Sequence, residues 1–208
     1  MTRRRAMHDD HDGPFGVVVL AAGSSTRLGR TKQLVELDGR PLIRHVIDAA
    51  LAAGPTQVVV VLGHDADAIA AAIGDAPCEL VRNDAARDGQ ATSLAVGVGV
   101  LDENIVRAVV VLGDEPRIDP VVIACVASGA GPIRRARYRD RPGHPIAFDR
   151  ALWHRLQMLS GDEGARSVLL ERPDQIREVH VDADAPLDLD TEEDARALGV
   201  HDASPPQT

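Results

Sequence analysis

The sequence predicts an α/β fold built around a mostly parallel sheet. Short unbroken runs of Val, Leu and Ile, such as QVVVVL at 57–62, are typical of strands buried on both faces. Segments with apolar residues at every third or fourth position, such as 42–51, alternate with these runs and indicate helices. Strands that alternate with helices favour a parallel sheet, because each helix provides a crossover connection.

The first part of the chain predicts this alternation most regularly. The strands predicted there are 16–21, 57–62, 79–82 and 108–112. The helices predicted there are 42–51, which Gly54-Pro55 ends, and then 65–73, 91–101 and 119–128. Asp119-Pro120 is the expected start of the last of these helices, since Asp caps helix N-termini and Pro suits the first turn.

The rest of the chain predicts a less regular order. The strands predicted there are 133–138, 143–148 and 178–181. Helices are predicted near 150–159 and 163–171, and a last one from Thr191. The length of 208 residues favours one domain, which we place at 15–200. The tails at 1–14 and 201–208 are expected to be disordered.

Composition narrows the class of function. The chain is 44% hydrophobic but only 2% aromatic, so its core must be aliphatic. A net charge of −9 argues against nucleic acid or an anionic membrane as the main partner. No apolar run is long enough to span a membrane, and the first residues lack the apolar stretch of a secretory signal. Cys78 and Cys125 lie in apolar runs, and we expect reduced core cysteines in a cytoplasmic protein.

Lys32 is the sole lysine, and the other twenty-two of the 23 Lys and Arg residues are arginine. It ends the stretch LAAGSSTRLGRTK at 20–32, between the first strand and the first helix. A glycine-rich turn at such a place presents backbone N–H groups to phosphate oxygens. Lysine adds a compact, mobile positive charge. We therefore predict a phosphate-binding loop, in preference to a solvated loop lysine.

Ligands of such sheets bind beyond the carboxyl ends of the strands. This rule selects three places: the loop after the first strand, the segment after the third strand, and Gly113-Asp114 after the fourth.

Several sequence blocks resemble one family. The stretch LAAGSSTRLGRTKQLVELDGRPLI at 20–43 resembles the N-terminal signature of nucleotidyltransferases that act on molybdenum cofactor, in particular the molybdenum cofactor cytidylyltransferases. The resemblance extends over about 17–198. Five further blocks carry it: Asn83 with GQATS at 89–93, GDEP at 113–116, GHP at 143–145, GDEGAR at 161–166 and DLDT at 188–191.

The resemblance implies a three-layer α/β/α, Rossmann-like fold of the nucleotide-diphospho-sugar-transferase type. It also implies magnesium and a nucleoside triphosphate whose nucleoside monophosphate is joined to a substrate phosphate, with release of pyrophosphate. Ala22 stands where guanylyl-transferring relatives more often have glycine, which indicates CTP. The implied acceptor is a molybdopterin-type cofactor, and a molybdoenzyme or insertion chaperone is a possible protein partner.

The reaction requires phosphates held in line with their charges neutralised. Backbone amides of 22–26 would hold the triphosphate, while Arg27 and Lys32 would bind its oxygens; Arg27 could instead be a solvated loop residue. Asn83 and Ser93 suit base or ribose recognition, or else a turn and a helix start. The predicted nucleotide-binding residues are Leu20, Ala21, Ala22, Gly23, Ser24, Ser25, Thr26, Arg27, Lys32, Asn83 and Ser93.

Magnesium needs carboxylate oxygens close to those phosphates. Asp114 follows the fourth strand and is the first candidate ligand, although it could be a turn residue; with Arg27 and Lys32 it forms the predicted catalytic set. Asp190, or else Asp188, is the second candidate ligand. The alternative is that Asp190 or Thr191 caps the last helix, with a capping box completed at position 193 or 194.

Acceptor binding is predicted at His144 and Arg166. His144 could instead be a structural residue pinned between Gly143 and Pro145. Five arginines within 134–141 fit either a solvated edge strand protected by charge or a basic rim that attracts an anionic acceptor. Glu115 stands where relatives usually have an uncharged residue, so it could join the metal site or alter the choice of acceptor.

Three other functions stay open. One is guanylyl or other nucleotidyl transfer to a different phosphorylated small molecule. Another is a dinucleotide-binding oxidoreductase, against which the first turn lacks G-x-G-x-x-G spacing. The third is a non-catalytic cofactor carrier of the same fold.

Overall fold

The computed structural model describes residues 13–23, 30–162 and 164–200. Its strands in chain order are β1 (Phe15–Ala21), β2 (Glu36–Leu37), β3 (Arg40–Pro41), β4 (Gln57–Leu62), β5 (Glu79–Arg82), β6 (Arg107–Leu112), β7 (Ile133–Arg137), β8 (Pro142–Asp149) and β9 (Ile176–His180). Its helices are α1 (Leu42–Ala52), α2 (Ala66–Ile73), α3 (Gln90–Gly99), α4 (Pro120–Ala127), α5 (Trp153–Gln157), α6 (Arg166–Glu171) and α7 (Glu192–Leu198).

The main sheet has the strand order β5-β4-β1-β6-β8-β7-β9. Strand β1 is parallel to β4 and β6, β4 is parallel to β5, and β7 is parallel to β9. Strand β8 runs antiparallel to both of its neighbours, β6 and β7. The prediction of a mostly parallel sheet is therefore confirmed, and β2 and β3 form a separate small hairpin.

Alternate residues of β1 contact opposite layers of helices. Val17 and Val19 belong to one core cluster, which also includes residues of α1, α2 and α4. Val18 belongs to another, which includes residues of α3, α5 and α6. Because successive side chains of a strand point to opposite faces, two apolar faces need two covering layers. The result is the three-layer α/β/α fold.

Helix boundaries follow the predicted signals in most places. The Asp119 side chain accepts a hydrogen bond from the Val121 backbone N–H at 2.7 Å, so Asp119 caps α4 as expected. Helices α5 and α6 are shorter than predicted. A 3-10 turn replaces the expected first residues of α5 at Arg150–Leu152, and position 163 lies outside the described residues.

Strand β7 carries the first arginines of the run and is not at the edge of the sheet. It pairs with β8 on one side and with β9 on the other, with register partners from Ile133 to Arg137. The alternative of an edge strand protected by its charges is therefore wrong, because β9 occupies the edge.

Two expectations from composition can be compared with the structure. Cys78 is only partly buried and Cys125 is exposed, so the expectation of core cysteines is wrong, although both thiols are free. Among the described residues, no helix has the length and apolar character needed to cross a membrane.

Helix α3 packs closely on the sheet at Gly97. A Cβ atom at this position would overlap Val18 Cγ1 and lie 3.0 Å from Val61 Cγ2. We expect Gly97→Ala to lower the free energy of unfolding by about 1–3 kcal/mol, since the core must shift to admit the methyl group. At Gly99 a Cβ would meet only the Gln157 amide, at 3.4 Å. Gly99→Ala is therefore the matched control, and urea unfolding that gives both variants the same stability would contradict this packing.

Candidate active site

Lys32 contacts two aspartates that are distant in sequence. Its Nζ atom donates to Asp114 Oδ2 at 3.2 Å and to Asp190 Oδ1. Asp114 lies two residues beyond the end of β6, and Asp190 lies just before α7. The Lys32 side chain is only 14% exposed. The fold therefore brings together the predicted phosphate-binding lysine and the two predicted metal ligands.

The charges of this cluster depend on one another. Burial by itself lowers the pKa of Lys32, but the hydrogen bond with Asp190 and the charges of both aspartates outweigh it, so the pKa lies above its ordinary value. Burial raises the pKa of Asp114; the Lys32 charge opposes this shift and the Asp188 charge adds to it. Lys32 therefore stays protonated and is the cation that balances these carboxylates.

The start of α7 is capped without the Asp190 side chain. Thr191 Oγ1 accepts from the Asp194 backbone N–H at 3.2 Å, and Asp194 Oδ2 accepts from the Thr191 N–H at 2.7 Å. This reciprocal pair is a capping box. Of the alternatives left open, Thr191 and Asp194 form the cap, and the Asp190 carboxylate is left to contact Lys32.

A cavity of about 430 Å³, the first cavity, lies beyond the ends of β1 and β6. Among its lining residues are Leu20, Ala22, Gly23, Gln33, Gln90, Ser93, Leu112 and Asp114. Of the predicted nucleotide-binding residues, Leu20, Ala22, Gly23 and Ser93 therefore line one cavity. The Ala21 side chain is fully buried in the core, so only its main chain can serve a ligand. Ser24, Ser25, Thr26 and Arg27 lie outside the described residues.

The Asn83 side chain is used within the protein. Its amide donates to Thr92 Oγ1 at 2.8 Å and to Ser93 Oγ at 2.9 Å, and its Oδ1 accepts from the Ala85 N–H at 3.0 Å. This geometry matches the turn alternative, in which Asn83 orients the start of α3. Recognition of a base or ribose by Asn83 and Ser93 stays a prediction, in which Ser93 would be the residue that lines the first cavity.

Two of the sequence blocks pack directly against each other. Gly89 has φ +114°, and a Cβ there would overlap the backbone of Gly161. The Ala91 N–H donates to the Gly161 carbonyl at 3.1 Å. At Gly164 a Cβ would lie 2.6 Å from Gln90 Oε1. Glycine is required at Gly89 because the two backbones touch, and at Gly164 because φ is +51° and the Gln90 side chain packs against it.

A second cavity of about 320 Å³ adjoins the first. Among its lining residues are Gln90, Leu112, Glu115, Arg135, Tyr138, Arg141, His144, Arg166 and Asp188. Gln90 and Leu112 line both cavities, so they form the boundary between them. The predicted acceptor-binding residues His144 and Arg166 both line the second cavity. No protein contact of either residue was predicted from the sequence.

The arginine run is divided between two roles. Arg134 donates to main-chain carbonyls of Cys125 and Val126, and Arg139 pairs with Asp182 at 2.8 Å. Arg135 and Arg141 instead line the second cavity. Of the arginines in this run, Arg135 and Arg141 are therefore the candidates for the basic rim, which stays a prediction.

Glu115 and Asp188 form a carboxyl pair within the second cavity. The sequence singled out each residue, but it did not predict that they form a pair. Burial, followed by the charge and hydrogen bond of Glu115, raises the pKa of Asp188 to about 6. Glu115 is only 4% exposed. The His144 Nδ1 atom lies 3.7 Å from Glu115 Oε1. Asp188 thus pairs with Glu115 while Asp190 contacts Lys32, which makes Asp190 the better candidate metal ligand.

The cluster at Lys32 fits a divalent cation shared with a substrate. Two carboxylates converge on a single ammonium group, so they lie close enough to bind one ion. Within 13–23, 30–162 and 164–200, no group of three or more His, Cys, Asp or Glu residues could hold a metal. Magnesium is often bound through one or two carboxylates, with phosphate oxygens and water completing its shell, and this donor set matches that pattern.

Residues 17–176 match the model of the MobA-like NTP transferase domain. The chain belongs to this family. The match covers most of the described sheet and includes Asp114 and the residues of the second cavity up to Leu169. It confirms the resemblance drawn from the sequence blocks.

Known relatives support the same assignment. Rv0371c from Mycobacterium tuberculosis H37Rv superposes with a TM-score of 0.83 at 33% identity, over 89% of this chain and 97% of that one. A structure of Rv0371c with manganese has a TM-score of 0.78 at 32% identity, with the same coverage.

Two curated relatives differ in how much of them is matched. The bifunctional protein GlmU of Halorhodospira halophila is 34% identical over 77% of this chain. The chain spans only 32% of the length of that relative. Nicotine blue oxidoreductase from Paenarthrobacter nicotinovorans is 32% identical, over 75% of this chain and 81% of the relative.

Proposed function

We propose that the protein transfers CMP from CTP to the phosphate of a molybdopterin-type cofactor and releases pyrophosphate. The adjoining cavities carry this proposal. Two consecutive residues line the two cavities: Asp114 lines the first and Glu115 lines the second. A transferase must hold a donor and an acceptor side by side, with the reacting phosphates in line, and two cavities with a shared boundary provide such an arrangement.

The roles of individual residues follow from their places. The backbone from Ala22 onward would bind the triphosphate, with Arg27 from the same loop. Asp114 and Asp190 would hold magnesium, which supplies neutralisation of phosphate charge when bound. Lys32 would then exchange its carboxylate contacts for contacts to phosphate oxygens. The manganese complex of Rv0371c supports a divalent-cation site in such a fold.

The acceptor would occupy the second cavity. His144 and Arg166 line that cavity and would bind it. An acceptor phosphate is already an anionic nucleophile, so no residue has to act as a general base. Transfer of the product to a cytoplasmic molybdoenzyme or insertion chaperone belongs to this proposal.

Nucleotide choice tests the cytidylyl assignment. We expect CTP with magnesium to raise the melting temperature more than GTP at equal concentration, because a ligand stabilises the folded state by about 2.7 kcal/mol at 100 times its Kd. Ala22→Gly is the informative variant and should narrow the difference, since Ala22 lines the first cavity. Thermal shift measures both effects. A clearly larger shift with GTP would exclude the cytidylyl assignment and leave nucleotidyl transfer in place.

An oxidoreductase is the second candidate, because the relative from Paenarthrobacter nicotinovorans carries that name and is matched over 81% of its length. Nicotinamide absorbance retained on purification, or a thermal shift with NADPH larger than with CTP, would favour it. A non-catalytic carrier would bind the acceptor and CTP without releasing pyrophosphate. A pyrophosphate assay with CTP and acceptor therefore separates the transferase from the other two candidates, and the NADPH measurement separates those two from each other.

A further inference from the structure

The second cavity contains buried carboxylate oxygens that receive no hydrogen bond from a protein N–H group. Glu115 Oε2 is buried and accepts from no such donor, although the residue is only 4% exposed. Asp188 Oδ1 in the same cavity is also buried and accepts from no such donor, and the hydrogen bond of Asp188 is with the Glu115 carboxyl. A buried acceptor left unpaired costs free energy, and a charged one costs more. Two such oxygens in one open cavity are typical of a binding site whose ligand supplies the donors.

Positively charged side chains line the same cavity. Arg141 donates to the Pro186 carbonyl at 3.1 Å, and the exposed Arg166 begins α6. Arg135 forms an ion pair with Glu178 at 2.7 Å, and Glu178 does not belong to the Glu115–Asp188 pair. The cavity therefore offers acceptors on Glu115 and Asp188 and cations on its arginines. This combination suits a ligand that carries both nitrogen donors and anionic groups.

The required donor group can be specified chemically. A ring N–H beside an exocyclic NH₂ presents two parallel donors, as the guanidinium of arginine does to a carboxylate. We propose that Glu115, with Asp188, is a specificity-determining residue that binds the N–H/NH₂ edge of a nitrogen heterocycle in the acceptor. The inference rests on the proposed function, because it places the acceptor in the second cavity. Its anionic end would then point past Gln90 and Leu112 to the first cavity.

Two fluorescent ring compounds test this directly without nucleotide, metal or turnover. Pterin has the ring N–H and the exocyclic NH₂, whereas lumazine has a carbonyl in place of the NH₂. We expect the wild-type protein to bind pterin at least about tenfold more tightly than lumazine, as lost hydrogen bonds to a charged group imply. Equal affinities, or no pterin binding up to millimolar concentration, would overturn the proposal.

Variants assign the preference to Glu115. Glu115→Gln should lose most of the preference, because its amide offers only one acceptor oxygen and adds a donor. Glu115→Asp, which keeps both oxygens, should retain the preference at weaker affinity and serves if the first variant does not fold. Glu103→Gln, at an exposed acid, is the matched control. An unchanged preference in both Glu115 variants would refute the role of Glu115, while the CTP thermal shift would independently report on the proposed function.

Discussion

Asp114→Asn is expected to lower turnover by about 100-fold or more while the protein stays folded. A neutral amide is a poorer magnesium ligand than a carboxylate, and losing about 3 kcal/mol of transition-state stabilisation corresponds to that factor. The fold should persist because burial already disfavours the charged form of Asp114. Asp190→Asn should behave similarly. Pyrophosphate release at limiting magnesium measures turnover, and thermal unfolding checks the fold.

The matched control is Asp182→Asn, because this side chain is 95% exposed and pairs only with Arg139 in the described contacts. It should leave turnover and magnesium dependence unchanged. A manganese titration followed by electron paramagnetic resonance gives a second readout, in which Asp114→Asn and Asp190→Asn should weaken binding. Wild-type turnover in both variants at limiting magnesium would show that the metal site lies elsewhere.

Loss of the Lys32 charge is expected to slow the reaction by about ten- to a hundredfold. This corresponds to about 1.5–3 kcal/mol for a charge-assisted contact that forms fully in the transition state. Lys32→Met keeps much of the side-chain length and removes the ammonium. Lys32→Arg should restore the activity only in part, since its planar fork cannot occupy the place of a compact ammonium between two carboxylates.

Chemical modification provides an independent test, because Lys32 and the amino terminus are the only amines of the chain. Acetylation of Lys32 should reduce activity, and CTP with magnesium should protect it. Peptide mass spectrometry quantifies the modification, with the amino terminus as the internal reference. Complete acetylation of Lys32 with activity intact would be incompatible with its proposed role.

Much of the fold could be predicted because its signals are local. Strand β4 was predicted with its observed bounds, since a strand buried on both faces needs an unbroken apolar run. The start of α4 followed from Asp119-Pro120, which acts within one turn. Helices α5 and α6 were predicted too long, because their ends depend on packing rather than on a cap residue.

The candidate site could be predicted only in part. Lys32 and Asp114 were identifiable because each lies beyond the carboxyl end of a strand, where parallel sheets place their ligands. Asp188 and Asp190 could not be distinguished, since both belong to one alternating segment. The structure separates them by their partners, Glu115 and Lys32.

The sequence by itself determined the α/β class, the positions of most strands and the loop that carries the only lysine. It did so because periodicity, caps and turns depend on residues a few positions apart. Only the tertiary structure decided that β7 is covered by β9, that Asn83 is used within the protein, and that Glu115 is buried against Asp188. Those facts depend on contacts between segments tens of residues apart, and such contacts follow from the order of strands in the sheet rather than from any local pattern.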